Sequence, residues 1–170
     1  SLGNSGRDAV RDFVSRGGDY VGICAGSYLA CSGFSWGLGI LDAKTKSSQW
    51  MRGRAELPLT LTDAGAQIFA EGPRTASIIY NNGPIIQPHN QPHIPDYQVL
   101  AVFDAEVAKN QTPAGIMIHS PAVVAGKFGA GDVLCISPHP EQSGDTGRMW
   151  ISTGLKKLRL NSITPAASSP

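Results

Sequence analysis

The sequence predicts a single α/β domain, a sandwich of helices around a mostly parallel central sheet that carries an antiparallel extension. Helical patterns stand at both ends of the chain, with a series of β-like runs between them. The 170 residues, 41% of them hydrophobic, are enough for one core and too few for two generous ones. Twenty glycines and 12 prolines make turns and tight backbone approaches frequent, which excludes a long helical bundle.

Taken in order, Arg7 to Arg16 places Val10, Phe13 and Val14 at helical spacing, and Gly17-Gly18 stops the segment. Asp19 to Cys24 is short, apolar and β-rich, as expected of a buried parallel strand, and Ser27 to Ala30 starts a small-residue helix behind a sharp turn. Ala55 to Leu61 alternates as a strand, Asp63 to Ala70 reads as a short helix, and Ser77 to Tyr80 as a strand ending at Asn81-Asn82-Gly83. Pro84, Pro88, Pro92 and Pro95 then dominate a long irregular loop. Four β-like runs follow, Gln98 to Phe103, Gly115 to His119, Ala122 to Phe128 and Val133 to Ser137, the last two joined by a hairpin turn at Gly129 to Asp132. Thr146 to Leu160 closes the fold as a helix, with Lys156, Lys157 and Arg159 as its solvated end, and residues 161–170 read as a flexible tail after a single domain over residues 1–160.

Composition removes several function classes. A formal charge of +1, from 14 basic and 13 acidic residues, gives no field for gripping nucleic acid or an anionic membrane. Tyr20 to Leu41 carries no charge, but five glycines and three serines break it into strand, helix and loop instead of a membrane span. Cys24, Cys31 and Cys135 are odd in number and lack C-x-x-C spacing, so neither a disulfide framework nor a zinc ribbon is expected. Unpaired cysteines and the absence of a signal-peptide pattern favour a reducing, cytoplasmic setting. His89 and His93 sit at i,i+4, but Pro88 and Pro92 deny them a helix, so no metal and no cofactor is expected.

The chemistry concentrates at Gly22-Ile23-Cys24-Ala25-Gly26, a G-x-C-x-G at the strand-to-helix turn. Such a turn strains its central residue, needs glycines on both sides because neighbouring atoms crowd the bend, and projects the side chain above the sheet as a nucleophile elbow. There a helix start favours thiolate, and the Ala25 N–H is placed to hold an oxyanion. The plain alternative is a small buried cysteine in a packing corner. A base is supplied by Ser137-Pro138-His139-Pro140-Glu141, at the end of an apolar strand, where functional groups of α/β sheets gather. Glu141 is placed to orient the His139 ring toward Cys24.

The pairing of GICAG with a distant HPE resembles the class I glutamine amidotransferase-like superfamily, whose Cys-His-Glu triad runs in this order. Within it, GGDYVGICAGSYLA, IIYNNGP and LCISPHPE are most similar to the biotin protein ligase N-terminal domain family. The resemblance spans roughly Gly6 to Gly154. It implies a flavodoxin-like fold with Cys24 as nucleophile, His139 as base and Glu141 as orienter. It also implies an N-terminal strand or strands missing from this chain, so that an upstream segment or a companion polypeptide would complete the sheet. Amidotransferases that use glutamine carry Gln four residues after the nucleophile; Tyr28 stands there instead, which argues against glutaminase activity. Tyr28, Tyr80, Asn82, Gly83 and His119 are the remaining candidates for the substrate pocket.

The expected function is therefore a thiol-dependent hydrolase or amidotransferase-like enzyme acting on a C–N or acyl bond of a small-molecule or peptide-like substrate. The alternatives are a non-catalytic regulatory or binding module and a cysteine redox sensor.

Overall fold

The computed structural model describes residues 2–69 and 72–161, with the side chains of residues 158–161 outside that description. The expected helix end at Ala70, the Arg159 side chain and the tail over residues 162–170 therefore lie outside the described residues.

Helix α1, Gly3–Ser15, extends the predicted helix by about one turn at its start and buries Val14, while Gly17 at φ 104° ends it. Strand β1 (Tyr20–Ile23) and helix α2 (Ala25–Ala30) follow, then β2 (Ala43–Thr45), β3 (Arg54–Leu61), helix α3 (Asp63–Ile68) and β4 (Thr75–Asn81). The chain continues through β5 (Ile86–Pro88), β6 (Gln98–Phe103), β7 (Pro121–Phe128) and β8 (Gly131–Ile136), a 3₁₀ turn at Pro140–Gln142, and helix α4 (Gly144–Asn161). At the start of α3, the Thr62 hydroxyl accepts the Gly65 N–H and donates to the Val99 carbonyl, tying this cap to β6.

Six strands form one mixed sheet in the order β1-β8-β7-β6-β3-β4, and β2 pairs with β5 in a small second sheet. Every residue of β8 is buried, and its side chains alternate between two cores. Val133 and Cys135 join Val14, Ala30 and Cys31 of the α1 and α2 side, whereas Leu134 and Ile136 join Phe69 and Trp150 beside α3 and α4. This two-sided burial explains why the segment is an unbroken apolar run in the sequence.

The expected mostly parallel, flavodoxin-like sheet is not what forms. Among the described strands of this sheet only β1 and β8 pair in parallel; β8–β7, β7–β6, β6–β3 and β3–β4 are antiparallel. A parallel pair needs a long crossover, and the two-residue link between β7 and β8, Gly129-Ala130, is too short for one. Gly115 to His119 is not a strand either. Gly115 and His119 lie at φ 79° and 60°, and the Glu106 carboxylate takes the N–H groups of Gly115 and Met117 that a ladder would use. In the proline-rich loop, β5 pairs with the unpredicted β2.

The sheet curls until β4, at one edge, meets the segment that follows β8. The His139 N–H donates to the Ile79 carbonyl at 2.6 Å, and the Ile79 N–H donates to the Ser143 hydroxyl at 2.9 Å. The ends of β1, β4 and β8 thereby converge. Among the described residues no helix is long and apolar enough to cross a membrane.

Candidate active site

Cys24 sits between β1 and α2 at φ 48°, ψ −100°, a conformation that a non-glycine residue holds only under the constraint of its surroundings. That constraint is visible. The Cys24 N–H donates to the Ile136 carbonyl at 2.9 Å, and the buried Ser27 hydroxyl lies 2.9 Å from both the Gly22 and Ile136 carbonyls. Gly22 is required, because a Cβ there would lie 2.6 Å from the Gly26 backbone. Gly26 is not required for space: its Cβ would meet nothing nearer than the Tyr20 hydroxyl at 3.6 Å, so crowding acts on only one side of the bend.

The Cys24 thiol donates to the Asn81 carbonyl at 3.4 Å, joining the end of β1 to the end of β4. Burial raises its pKa, the Ala25 N–H lowers it, and the Glu141 charge raises it; the net shift is upward. The expected bias toward thiolate is thus present only in the Ala25 N–H and is outweighed by desolvation. His139 Nδ1 lies 2.6 Å from Glu141 Oε1, with the Gln142 amide 3.3 Å from both. His139 and Glu141 are therefore brought together at the end of β8, and Glu141 is near enough for its charge to act on Cys24.

A cavity of about 520 Å³ opens over Cys24, Ala25, Tyr28, Asn81 and Asn82. Phe34, Trp36 and Trp50 supply further rings, and Thr45, Ser47 and Ser48 supply hydroxyls, so no lining side chain is charged. Phe34 stacks on Trp36 with centroids 4.6 Å apart, and Tyr28 tilts against Phe34 at 6.1 Å. His139 and Glu141 do not line this cavity.

The remaining candidates separate. Tyr28 lines the cavity, and its hydroxyl donates to the Asn82 carbonyl at 3.1 Å, while burial pushes its pKa up. Asn82, at φ 57°, also lines the cavity and accepts the Gly53 N–H through Oδ1. Tyr80 and Gly83 are framework behind it. Tyr80 is fully buried, stands edge-on to Phe103 and donates to the Gly83 carbonyl at 2.8 Å. A Cβ on Gly83 would lie 2.0 Å from the Ser137 carbonyl oxygen. His119 is exposed and away from the cavity lining, because the segment that was to carry it inward is a turn. The sequence reading missed Phe34, Trp36 and Trp50. Their signal was large apolar residues in Gly- and Ser-rich segments without helix or strand periodicity, with Trp36 and Trp50 each about half exposed. Among the described residues no cluster of His, Cys, Asp or Glu could hold a metal ion; His89 Nδ1 instead contacts the Ser32 hydroxyl at 2.9 Å.

Fold and site together define a mixed α/β domain with a positive-φ cysteine at a strand-to-helix turn over an open cavity. Residues 1–49, which carry the GICAG turn, match the family described as biotin-protein ligase, N terminal. No curated protein matches the chain. Among solved structures, PurLQS from Thermotoga maritima is similar with a TM-score of 0.60 at 18% identity, over 89% of this chain and 68% of that one. A ThuA-like protein from Bacteroides uniformis gives 0.52 at 13% identity, over 93% and 65%. A β-galactosidase from Bacillus circulans sp. alkalophilus gives 0.52 at 16% identity, over 98% of this chain but 22% of its own. The chain thus spans about a fifth of the β-galactosidases it matches, and likeness at these identities concerns the fold alone.

Proposed function

We propose that the protein is a thiol-dependent hydrolase or amidotransferase-like enzyme that opens a C–N or related acyl bond through a thioester at Cys24. The observation that carries this reading is the positive-φ Cys24, held over an open cavity by the end of β8, the strand that also leads into the hydrogen-bonded His139–Glu141 pair. In this reading Cys24 occupies a nucleophile elbow. The thiol leaves the Asn81 carbonyl, His139 takes its proton, Glu141 fixes the imidazole, and the Ala25 N–H holds the developing oxyanion. His139 then returns the proton to the leaving amine, and water hydrolyses the thioester. A strand added along β1, from an upstream segment or a companion polypeptide, would extend the sheet at the edge nearest Cys24.

One observation favours a second reading, a non-catalytic module of the biotin protein ligase N-terminal type: the resting thiol is bonded to Asn81 and its pKa is raised. The same raised pKa counts against a peroxide-sensing role, which needs a ready thiolate. The two readings part on a thiol-directed acyl probe. Catalysis predicts labelling of the wild type, loss of labelling in Cys24→Ala, and at least tenfold slower turnover of the thioester in His139→Ala. Labelling that persists in Cys24→Ala refutes the assignment, and a thioester whose lifetime ignores His139 supports the non-catalytic module.

A further inference from the structure

Resting on the thiol acyl-transfer reading, we propose that the Cys24 cavity takes an uncharged amide whose acyl group bears an aromatic ring, and that it does not take free glutamine. A free amino acid brings an ammonium and a carboxylate. Each would give up water in a cavity that offers no charged side chain in return.

Arg52, a cation beside Tyr28, is already committed. Its Nη1 donates to the Pro113 carbonyl at 2.8 Å and its Nη2 pairs with Glu106 at 3.2 Å. It borders a side pocket of about 10 Å³, shared with Tyr28 and Trp50. That is room for about one water and not for a carboxylate group.

The main cavity offers rings instead. Phe34 and Trp36 are held face to face, Tyr28 leans on Phe34, and Trp50 lies half exposed on the cavity lining. Such surfaces recognise a flat apolar group by stacking and edge contacts. Tyr28 stands four residues after Cys24, and its hydroxyl is spent on the Asn82 carbonyl, so the ring and not the donor is presented to a ligand.

The chemistry then balances without a further co-reactant. Cys24 Sγ forms a thioester to the aryl-bearing acyl carbon as the C–N bond breaks, and the amine leaves with the proton carried by His139. Water cleaves the thioester to an uncharged-ring carboxylic acid and restores the thiol.

The test is calorimetric titration of the full chain with phenylacetamide and, separately, with glutamine. Phenylacetamide is expected to bind at least tenfold tighter than glutamine, and to weaken about tenfold in Trp50→Ala. Trp36→Ala serves as the second variant, and near-ultraviolet circular dichroism checks that both fold. Glutamine binding equal to or tighter than phenylacetamide overturns the proposal, as does phenylacetamide binding that is absent or unchanged in both variants. Turnover is read independently on phenylacetyl and γ-glutamyl amides of 7-amino-4-methylcoumarin. Aromatic-dependent binding without turnover removes catalysis but leaves this specificity standing. Turnover of the γ-glutamyl amide in preference removes the specificity but leaves catalysis standing.

Discussion

Glu106→Gln probes the support behind the aromatic cavity. Arg52 is 2% exposed and Glu106 16%, so the pair is screened little by solvent. Burial alone would raise the Glu106 pKa, but the N–H groups of Gly115 and Met117 and the charge of Arg52 outweigh it, and the net shift is downward. Glutamine keeps one acceptor for these N–H groups but strands the Arg52 charge. Breaking a buried pair from one side costs about 3–5 kcal/mol, and the residual exposure of Glu106 together with the retained amide places this case near 3 kcal/mol. For a domain of this size that is a fall in Tm of about 6–12 °C at pH 7. Because the carboxylate has a lower pKa folded than unfolded, its contribution is complete above the unfolded value and is lost as pH falls through the folded one. The deficit of the variant should therefore shrink at acid pH. Calorimetric melting of both proteins at pH 7 and below pH 4 reads it directly. A variant within about 1 kcal/mol of wild type at pH 7 would refute the view that this pair is a buried, coupled support.

Three further outcomes are expected. In native protein a disulfide reagent should titrate one thiol, Cys24, because Cys31 and Cys135 are buried and burial pushes the Cys31 pKa up to about 12; all three should titrate in urea. Alkylation of Cys24 should require a pH above that of an ordinary thiol, and Glu141→Gln should move the profile downward by removing a negative charge, even as it slows any acyl transfer. Gly83→Ala should destabilise by more than about 2 kcal/mol in denaturant titration, because its Cβ collides with backbone at Ser137 that cannot swing aside.

Local signals made much of this legible in advance. The periodicity of α1, the alternation of β3, the apolar run of β8 and the Gly129-Ala130 hairpin each report a local physical cause, and each element formed close to where it was expected. Sheet direction was not legible. It depends on which strands meet across long loops, and the buried character of β8 comes from helices on both faces, not from parallel neighbours. The Gly115 to His119 segment reads as β by composition but gives its N–H groups to Glu106, a partner that only tertiary structure supplies. At the site, Cys24 and the His139–Glu141 pair stood out because glycine and proline punctuate them. The aromatic lining did not, since Phe34, Trp36 and Trp50 lie in irregular loops that only the fold gathers.

The parallel pairing of β1 with β8 also has a kinetic meaning. Ser27 reaches Ile136 across 109 residues of chain, and β1 finds its place only by docking on β8. The β7–β8 hairpin closes over a two-residue turn and can form early, whereas the β1–β8 contact carries the greatest loop-closure cost in the sheet. The turn that carries Cys24 thus reaches the end of β8 late in folding. A partly folded chain would display its thiol before the turn is fastened to β8, so recovery of any acyl-transfer activity should lag behind recovery of secondary structure on refolding.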